Sequence, residues 1–307
     1  MSDVSQNPQA MPGKSKLRFI PFIGHKLAAR AANKANVAII RLNGVIGAAG
    51  AFKRGLTLEA LEESIEKAFD VKHLKAVALS VNSPGGSPVQ SALIAKRIRD
   101  LAEEKNIPVY AFCEDAAASG GYWLACAGDE IYANESSIIG SIGVISAGFG
   151  FPDLLEKIGV ERRVYTSGES KSQLDPFSKE KAADIKHLKA LQNDIHEHFK
   201  DYVRGRRGEK LNSDEEKNLF SGSFWTGSKA CELGLVDEIG ELRDICRKKF
   251  GDKTEFKDMQ SQKSFIQRKL GLGSRFGGSI LGNAGAEIGS QLVATAEERA
   301  WWSRLGL

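Results

Sequence analysis

Two short segments contain the residue types that nucleophilic catalysis requires. Ser119 lies in the run Ala116-Ala-Ala-Ser-Gly-Gly-Tyr-Trp123, and Lys171 lies in Thr166-Ser-Gly-Glu-Ser-Lys-Ser-Gln-Leu-Asp-Pro-Phe177. A serine hydroxyl is a weak nucleophile until a base removes its proton, and a lysine amine can act as that base when burial lowers its pKa. The two segments therefore predict a serine nucleophile, Ser119, with a lysine base, Lys171.

Glycines beside the serine suggest where a negative charge would be stabilised. Gly120 follows Ser119 at the expected start of a helix, where backbone N–H groups have no acceptor within the helix. Gly86 lies in the segment Val81-Asn-Ser-Pro-Gly-Gly-Ser87, and its lack of a side chain allows a substrate carbonyl to come close. We expect the N–H groups of Gly86 and Gly120 to bind a developing oxyanion, which indicates acyl-transfer chemistry.

Other catalytic patterns are less well supported. Ser64-Ile-Glu-Lys67 and Ser178-Lys-Glu-Lys181 match the SxxK pattern of penicillin-binding proteins, but the SDN and KTG partners are missing from the sequence. The sequence also has no G-x-S-x-G elbow and no Walker A loop. We set both SxxK matches aside.

The histidines do not favour a Ser-His-Asp triad. His187, His196 and His198 lie in a charged helical stretch, where ordinary surface positions are expected. His25 belongs to a basic tail, and His73 to a connector between a helix and a strand. The lysine therefore remains the favoured base.

Composition and charge restrict the class of protein. The 307 residues are 42% hydrophobic and 27% charged, which predicts one main globular domain with tails. The net charge is +4, but the first 34 residues hold six basic residues against one acidic, so the central region is slightly acidic. A nucleic-acid groove needs a concentrated cationic face and is not expected there. We predict a basic arm over 1–34, a catalytic domain over 35–251, and a tail over 252–307 that contacts an oligomer partner or a membrane.

The cysteines and the hydropathy pattern indicate a reduced compartment. The four cysteines show neither CxxC spacing nor the density of a disulfide scaffold, so we expect free thiols and no metal or other cofactor. No run has the roughly 20 apolar residues of a spanning helix, and the apolar run 17–23 is too interrupted for a signal peptide. We predict a cytoplasmic protein. The basic and aromatic residues of 14–30 would also suit peripheral contact with an anionic membrane, although a solvated tail or packing arm explains them equally well.

Apolar runs rich in β-branched residues alternate with helical patterns, as in stacked β-α units of an α/β protein. A long helix with apolar residues at helical spacing is expected to pack one side onto the sheet, and an edge strand near 237–240 precedes a closing helix. The predicted strands are Val37–Ile46, Ala76–Val81, Pro108–Cys113, Glu130–Ala133 and Arg162–Thr166, and the predicted helices are Thr57–Phe69, Val89–Glu104, Gly120–Ala127, Lys179–Arg204 and Leu242–Phe250.

Five segments of the sequence form one ordered pattern. The segments are Val81-Asn-Ser-Pro-Gly-Gly86, Ala117-Ala-Ser-Gly-Gly-Tyr122, Ile139-Gly-Ser-Ile-Gly-Val144, Ser167-Gly-Glu-Ser-Lys171 with Pro176-Phe177 after it, and Trp225-Thr-Gly followed by Gly234-Leu-Val-Asp237. Together, in this order, they make the chain resemble the signal peptide peptidase A family of serine peptidases. The resemblance covers roughly residues 37–250 and implies the Clp-protease/crotonase fold, with stacked β-β-α units and helices packed around the sheets.

The resemblance also implies roles for individual residues. Ser119 would be the nucleophile, Lys171 the general base, and Gly86 and Gly120 the oxyanion donors. Ser141 would orient the lysine by a hydrogen bond from its hydroxyl.

Beyond the site, the resemblance implies a ring-like homo-oligomer in which the dyad can be completed across a subunit boundary. The implied substrates are hydrophobic peptides, such as signal-peptide remnants, bound in an extended form beside Gly85-Gly86. Many members carry an N-terminal membrane anchor that is not seen in this sequence. A soluble or peripherally attached peptidase with other substrates fits equally well.

Two other functions compete with this interpretation. A crotonase-type enzyme on the same fold would use the Gly86 and Gly120 amides to hold a thioester enolate, but it would leave Ser119 and Lys171 without a role. A catalytically silent, membrane-associated scaffold would make the dyad vestigial. The presence of both dyad residues and of Ser141 argues against the scaffold.

Overall fold

An eight-stranded sheet with helices on both faces organises the part of the chain that the computed structural model describes, namely residues 35–47, 55–168, 170–259, 299–300 and 302–307. The strands are β1 (Asn36–Asn43), β2 (Leu74–Ser83), β3 (Val109–Ala118), β4 (Glu130–Ala133), β5 (Ile138–Gly140), β6 (Phe224–Thr226), β7 (Glu238–Ile239) and β8 (Glu255–Asp258). The α-helices are α1 (Leu58–Phe69), α2 (Pro88–Lys105), α3 (Gly120–Ala125), α4 (Pro152–Lys157), α5 (Ala182–Arg207), α6 (Glu216–Leu219), α7 (Gly227–Glu232) and α8 (Leu242–Phe250).

The sheet is almost entirely parallel. Its main path runs β6-β5-β3-β2-β1-β8, and only the β5–β6 pair is antiparallel. One edge of β3 pairs with β2, while its other edge pairs first with β4 and then, from Ala116 onward, with β5. This change of partner places the ends of β3 and β5 side by side at the carboxyl edge of the sheet, where parallel α/β proteins usually bind ligands.

Alternation along the strands divides the core between two faces of the sheet. In β1, Ala38, Ile40 and Leu42 join the large core cluster beneath α1, α2, α3 and the end of α5. Val37 and Ile39 point to the opposite face and pack in a second cluster with Ile245 and Cys246 of α8. Both faces of a strand at the centre of a covered parallel sheet are apolar, which explains the unbroken hydrophobic runs of the sequence.

Most of the predicted elements are confirmed, and so is the mixed α/β class. Local signals account for the accurate helix starts: the Thr57 side chain accepts a hydrogen bond from the Ala60 N–H at the start of α1. At the start of α2 the Ser87 side chain accepts a hydrogen bond from the Gln90 N–H, and Pro88 lies in the first turn.

Two expectations were wrong. The predicted strand Arg162–Thr166 has no strand partner and is exposed along its whole length. The long helix, α5, does not pack a full side onto the sheet, since its buried residues lie only near its end and Leu191 is 47% exposed. Phe199 instead stacks on Trp123 of α3, with ring centroids 4.8 Å apart.

The remaining predictions concern the two terminal segments, membrane-spanning helices and the cysteines. The basic arm, 1–34, lies outside the described residues, and so does most of the tail. Within that tail, β8 pairs in parallel with β1 and extends the sheet. Among the described residues, none of the helices has the length and hydrophobicity needed to cross a membrane. The four cysteines are free thiols, and three of them are buried.

A buried ion pair fixes the end of α5 to the sheet. The Arg207 side chain is 2% exposed and lies 2.7 Å from Asp237, and it also donates two hydrogen bonds to the Gly234 carbonyl. Asp237 further accepts a hydrogen bond from the Ile131 N–H of β4. Burial disfavours the Asp237 carboxylate, but hydrogen bonds from Arg207 and Lys210 outweigh that effect and hold its pKa below the usual value.

We predict that Asp237→Asn destabilises the protein by about 3 kcal/mol, because it leaves the Arg207 charge buried without its partner. Because the pKa of Asp237 is lowered in the folded state, its carboxylate stabilises the fold at pH values above the unfolded-state pKa of about 3.9. This stabilisation is lost as the pH falls through the folded-state pKa. Urea unfolding between pH 3 and 7 should therefore show a loss of stability in acid that is weaker in the variant.

Glu232→Gln is the matched control for this measurement. Glu232 forms an exposed ion pair with Lys229, and exposed pairs contribute little to stability. An Asp237→Asn protein as stable as this control at neutral pH would contradict the anchoring role of the buried pair.

Candidate active site

Ser119 occupies a strained turn between β3 and α3. Its backbone has φ 52° and ψ −123°, a conformation that costs a non-glycine residue free energy and is often found at functional sites. The Ser119 N–H donates a hydrogen bond to the Gly140 carbonyl, with 2.8 Å between N and O. The side chain is left half-buried at the carboxyl edge of the sheet, and it does not cap the helix.

The Gly85–Gly86 turn packs directly against this serine. A Cβ atom on Gly85 would lie 2.8 Å from the Ser119 Cβ and 3.0 Å from the Gly120 N, so a side chain has no room. Gly85 and Gly86 both have positive φ, 107° and 141°, and Gly86 pairs with Ile46 in an isolated bridge. The N–H groups of Gly86 and Gly120 find no acceptor within the described part of the chain. Both predicted oxyanion donors thus lie next to Ser119.

Ser141 lies close to Ser119 because β3 and β5 end together. Ala118 pairs with Gly140 in the sheet, and each serine is the next residue in its chain segment. Ser141 also has a positive φ, 53°, and its N–H donates to the Ser223 carbonyl at 2.7 Å. The predicted nucleophile and the serine expected to orient the base therefore lie in two constrained turns at the same edge.

A cavity of about 300 Å³ opens in front of the two serines. Its volume is of the size expected for a small-ligand or peptide side-chain site. It is lined by Pro84, Ser119, Ser141, Gly143, Val144, Ile145, His196, Ser221, Gly222, Arg304 and Leu305.

The tail and the long helix contribute three lining residues that the sequence did not assign to the site. Arg304 and Leu305 belong to the tail predicted to contact an oligomer partner or a membrane, yet Leu305 is 9% exposed and packs with Ala116 and Ala118 of β3. His196 was expected at an ordinary surface position, which was wrong. Its Nε2 lies 3.0 Å from the Ile142 carbonyl oxygen. His187 and His198 are exposed, as predicted.

The single chain does not bring Lys171 into this cavity. Lys171 is exposed and is absent from the cavity lining. It follows a long exposed segment, 143–168, in which apolar side chains are turned to solvent: Tyr165 is 91% exposed and Phe149 is 83% exposed. Exposed apolar surface of this extent is typical of an interaction site.

Cysteine and metal chemistry have little support at this site. Burial raises the pKa of the Cys113 and Cys126 thiols, so neither is a ready thiolate nucleophile. Within the described ranges there is no cluster of three or more histidine, cysteine or carboxylate side chains that could hold a metal ion. Two of the residues that line the cavity, Ser119 and Ser141, bring serine hydroxyls to it.

Comparison with known proteins agrees with this chemistry. Residues 102–254 match the model of Peptidase family S49. The chain is 34% identical to "Putative protease slr0021" of Synechocystis over 74% of this chain and 81% of that protein. It is 33% identical to "Serine protease SPPA, chloroplastic" of Arabidopsis thaliana over 68% of this chain and 30% of that protein.

A Brucella abortus protein is also similar, with a different name. It is called "Na(+)/H(+) antiporter NhaA", and it is 53% identical to this chain over 273 residues. The match covers 88% of this chain but 37% of the Brucella protein. The chain therefore spans little more than a third of that relative.

We predict that Gly85→Ala destabilises the fold by about 1 to 3 kcal/mol, because alanine must adopt a positive φ and its Cβ must displace Ser119. Urea unfolding measures the loss. Gly205→Ala is the control, since Gly205 lies in α5 with open space around it and alanine favours a helix. Equal stability of the two variants would contradict the close packing of the Gly85 and Ser119 turns.

Proposed function

Because this chain belongs to the signal peptide peptidase A family, peptidase family S49, we propose that it is a serine endopeptidase that uses Ser119 and Lys171. The observation that carries the proposal is the position of Ser119. It stands in a strained turn, lines a cavity, precedes Gly120 at the start of α3, and packs against the Gly85–Gly86 turn. This combination suits a nucleophile that forms an acyl-enzyme.

The proposed reaction has two stages. Lys171 takes the proton of the Ser119 hydroxyl as its oxygen attacks the peptide carbonyl, and the N–H groups of Gly86 and Gly120 bind the oxyanion of the tetrahedral intermediate. The lysine then gives its proton to the leaving amine, which leaves an acyl ester on Ser119. In the second stage Lys171 activates a water molecule that hydrolyses the ester, and Ser141 orients the lysine throughout.

Lys171 would reach the serine of a second copy of the chain. Within one chain the lysine is exposed and lies outside the cavity lining, while a Ser/Lys dyad needs the amine desolvated and close to the hydroxyl. The exposed apolar side chains of 149–165 would be covered by the neighbouring copy. A homo-oligomeric ring with the dyad completed across each boundary satisfies both requirements.

The proposed substrates are hydrophobic peptides, such as signal-peptide remnants. Val144, Ile145 and Leu305 give the cavity apolar walls, and the glycine turn at Gly85–Gly86 leaves space for an extended peptide to pair with the backbone. The antiporter name of the Brucella relative does not alter this proposal, because the chain aligns with only 37% of that protein.

The proposal also covers the fold, the location in the cell and the role of the basic arm. The parallel sheet with helices on both faces supports the Clp-protease/crotonase fold that the family resemblance implies. We place the protein in the cytoplasm. Its basic arm, which lies outside the described residues, would provide contact with the membrane periphery.

We predict that Ser119→Ala and Lys171→Ala each lower the hydrolysis of a fluorogenic apolar peptide library at least about a thousandfold, because each removes one member of the dyad. Light scattering should show the same assembly as for the wild-type protein. Lys179→Ala, at an exposed lysine nearby, is the control and should keep full activity.

Other outcomes of this assay point to the competing functions. Hydrolysis that persists in Ser119→Ala would exclude this site, and activity that survives in Lys171→Ala would require another base. Intact assembly without hydrolysis of any peptide would favour the scaffold, whereas binding of acyl-CoA would favour a crotonase-type enzyme.

A second prediction tests the subunit boundary. The inactive Ser119→Ala and Lys171→Ala proteins are unfolded and refolded together in equal amounts. If each dyad joins two chains, random mixing should leave about one quarter of the sites with both an intact Ser119 and an intact Lys171. We expect about a quarter of wild-type activity. A mixed oligomer without recovered activity would show that each dyad comes from one chain.

A further inference from the structure

His196 connects the long helix α5 to the segment that carries Ser141. Its Nε2 lies 3.0 Å from the carbonyl oxygen of Ile142, and it lines the same cavity as Ser119 and Ser141. A carbonyl oxygen only accepts hydrogen bonds, so the imidazole must carry a proton on Nε2 and donate it. The Ile142 side chain is fully buried, which fixes the acceptor in place.

The position of His196 is itself fixed relative to the nucleophile. Phe199 lies one turn further along α5, and its ring stacks on Trp123 with a centroid distance of 4.8 Å. Trp123 belongs to α3, the helix that begins directly after Ser119. The backbone N–H of Trp123 donates a hydrogen bond to the Ser119 carbonyl, with 3.1 Å between N and O. Side chains three residues apart on a helix lie on the same face, so α5 presents Phe199 and His196 together to the site.

The Ser141 segment needs such support. Ser141 has a positive φ of 53°, and its N–H is held on one side by the Ser223 carbonyl. His196 holds the carbonyl group of Ile142, the residue that follows Ser141. Without that second hydrogen bond, the turn would keep its Ser223 contact and the buried Ile142 side chain but would lose its link to α5, so Ser141 would be held less firmly relative to Ser119.

We propose that His196 is a positioning residue that fixes the Ser141 turn relative to Ser119. The inference rests on the proposed function, since Ser141 matters to the reaction only if it orients Lys171. The Nε2–H group of the His196 ring holds the turn by its hydrogen bond to the Ile142 carbonyl. A glutamine at this position carries an N–H donor at comparable reach, while a leucine has similar bulk without a donor.

The experiment compares His196→Leu and His196→Gln in the full chain. His198→Leu, at an exposed histidine on the same helix, is the control. Hydrogen exchange followed by mass spectrometry reports on the segment 139–145 without any need for peptidase activity. We expect His196→Leu to exchange about five- to tenfold faster there, as the loss of one hydrogen bond implies, and His196→Gln and the control to resemble the wild type.

Peptide hydrolysis provides the second readout. We expect His196→Leu to lower kcat by about five- to tenfold with little change in KM, because the dyad is misplaced while the peptide still binds. His196→Gln should restore most of kcat. A loss of folding stability alone would lower the amount of active protein without this recovery in the glutamine variant.

The outcomes separate this inference from the proposed function. Wild-type exchange in His196→Leu would overturn the positioning role, whatever the activity. Equal losses of kcat in the leucine and glutamine variants, with unchanged exchange, would also overturn it, because the imidazole itself would then be the reacting group. If the wild-type protein hydrolyses no peptide, the proposed function fails, and the exchange data alone decide whether His196 holds the turn.

Discussion

The hydrogen bond from the Ser119 N–H to the Gly140 carbonyl joins the two turns on which the site depends. It forms at the end of the stretch in which β3, having left β4, pairs with β5. Because the two strands are parallel and end in register, the residues that follow them, Ser119 and Ser141, emerge at the same edge. Each residue has a positive φ, so both turns hold conformations that the surrounding sheet must support.

The close packing of glycine backbone makes that support possible. Gly85 lies so near Ser119 and the Gly120 N that no side chain would fit, and this contact holds the Gly85–Gly86 turn against the start of α3. The apolar clusters on both faces of the sheet hold these backbones in fixed positions. Donors that are fixed before a charge develops do not need to reorganise during a reaction, which is why such packing suits catalysis.

The proposed catalytic residues are divided between the sheet edge and an exposed part of the chain. Ser119 and Ser141 belong to the sheet edge, and α5 is fixed there by Phe199 and by the buried pair of Arg207 with Asp237. Lys171 is exposed and follows a segment with several exposed apolar side chains. The proposed dyad would therefore depend on assembly, because desolvation of Lys171 requires surface that one described chain does not provide.

The sequence by itself determined the alternation of strands and helices and the starts of α1 and α2 to within a residue, and it predicted Ser119 with the glycines as the centre of the proposed chemistry. These features depend on local patterns of hydrophobicity, capping and backbone freedom. Only the tertiary structure decided that Arg162–Thr166 forms no strand and that His196 faces the cavity while His198 faces solvent. The physical reason is that strand pairing and burial depend on neighbours distant in the sequence, which a local pattern does not contain.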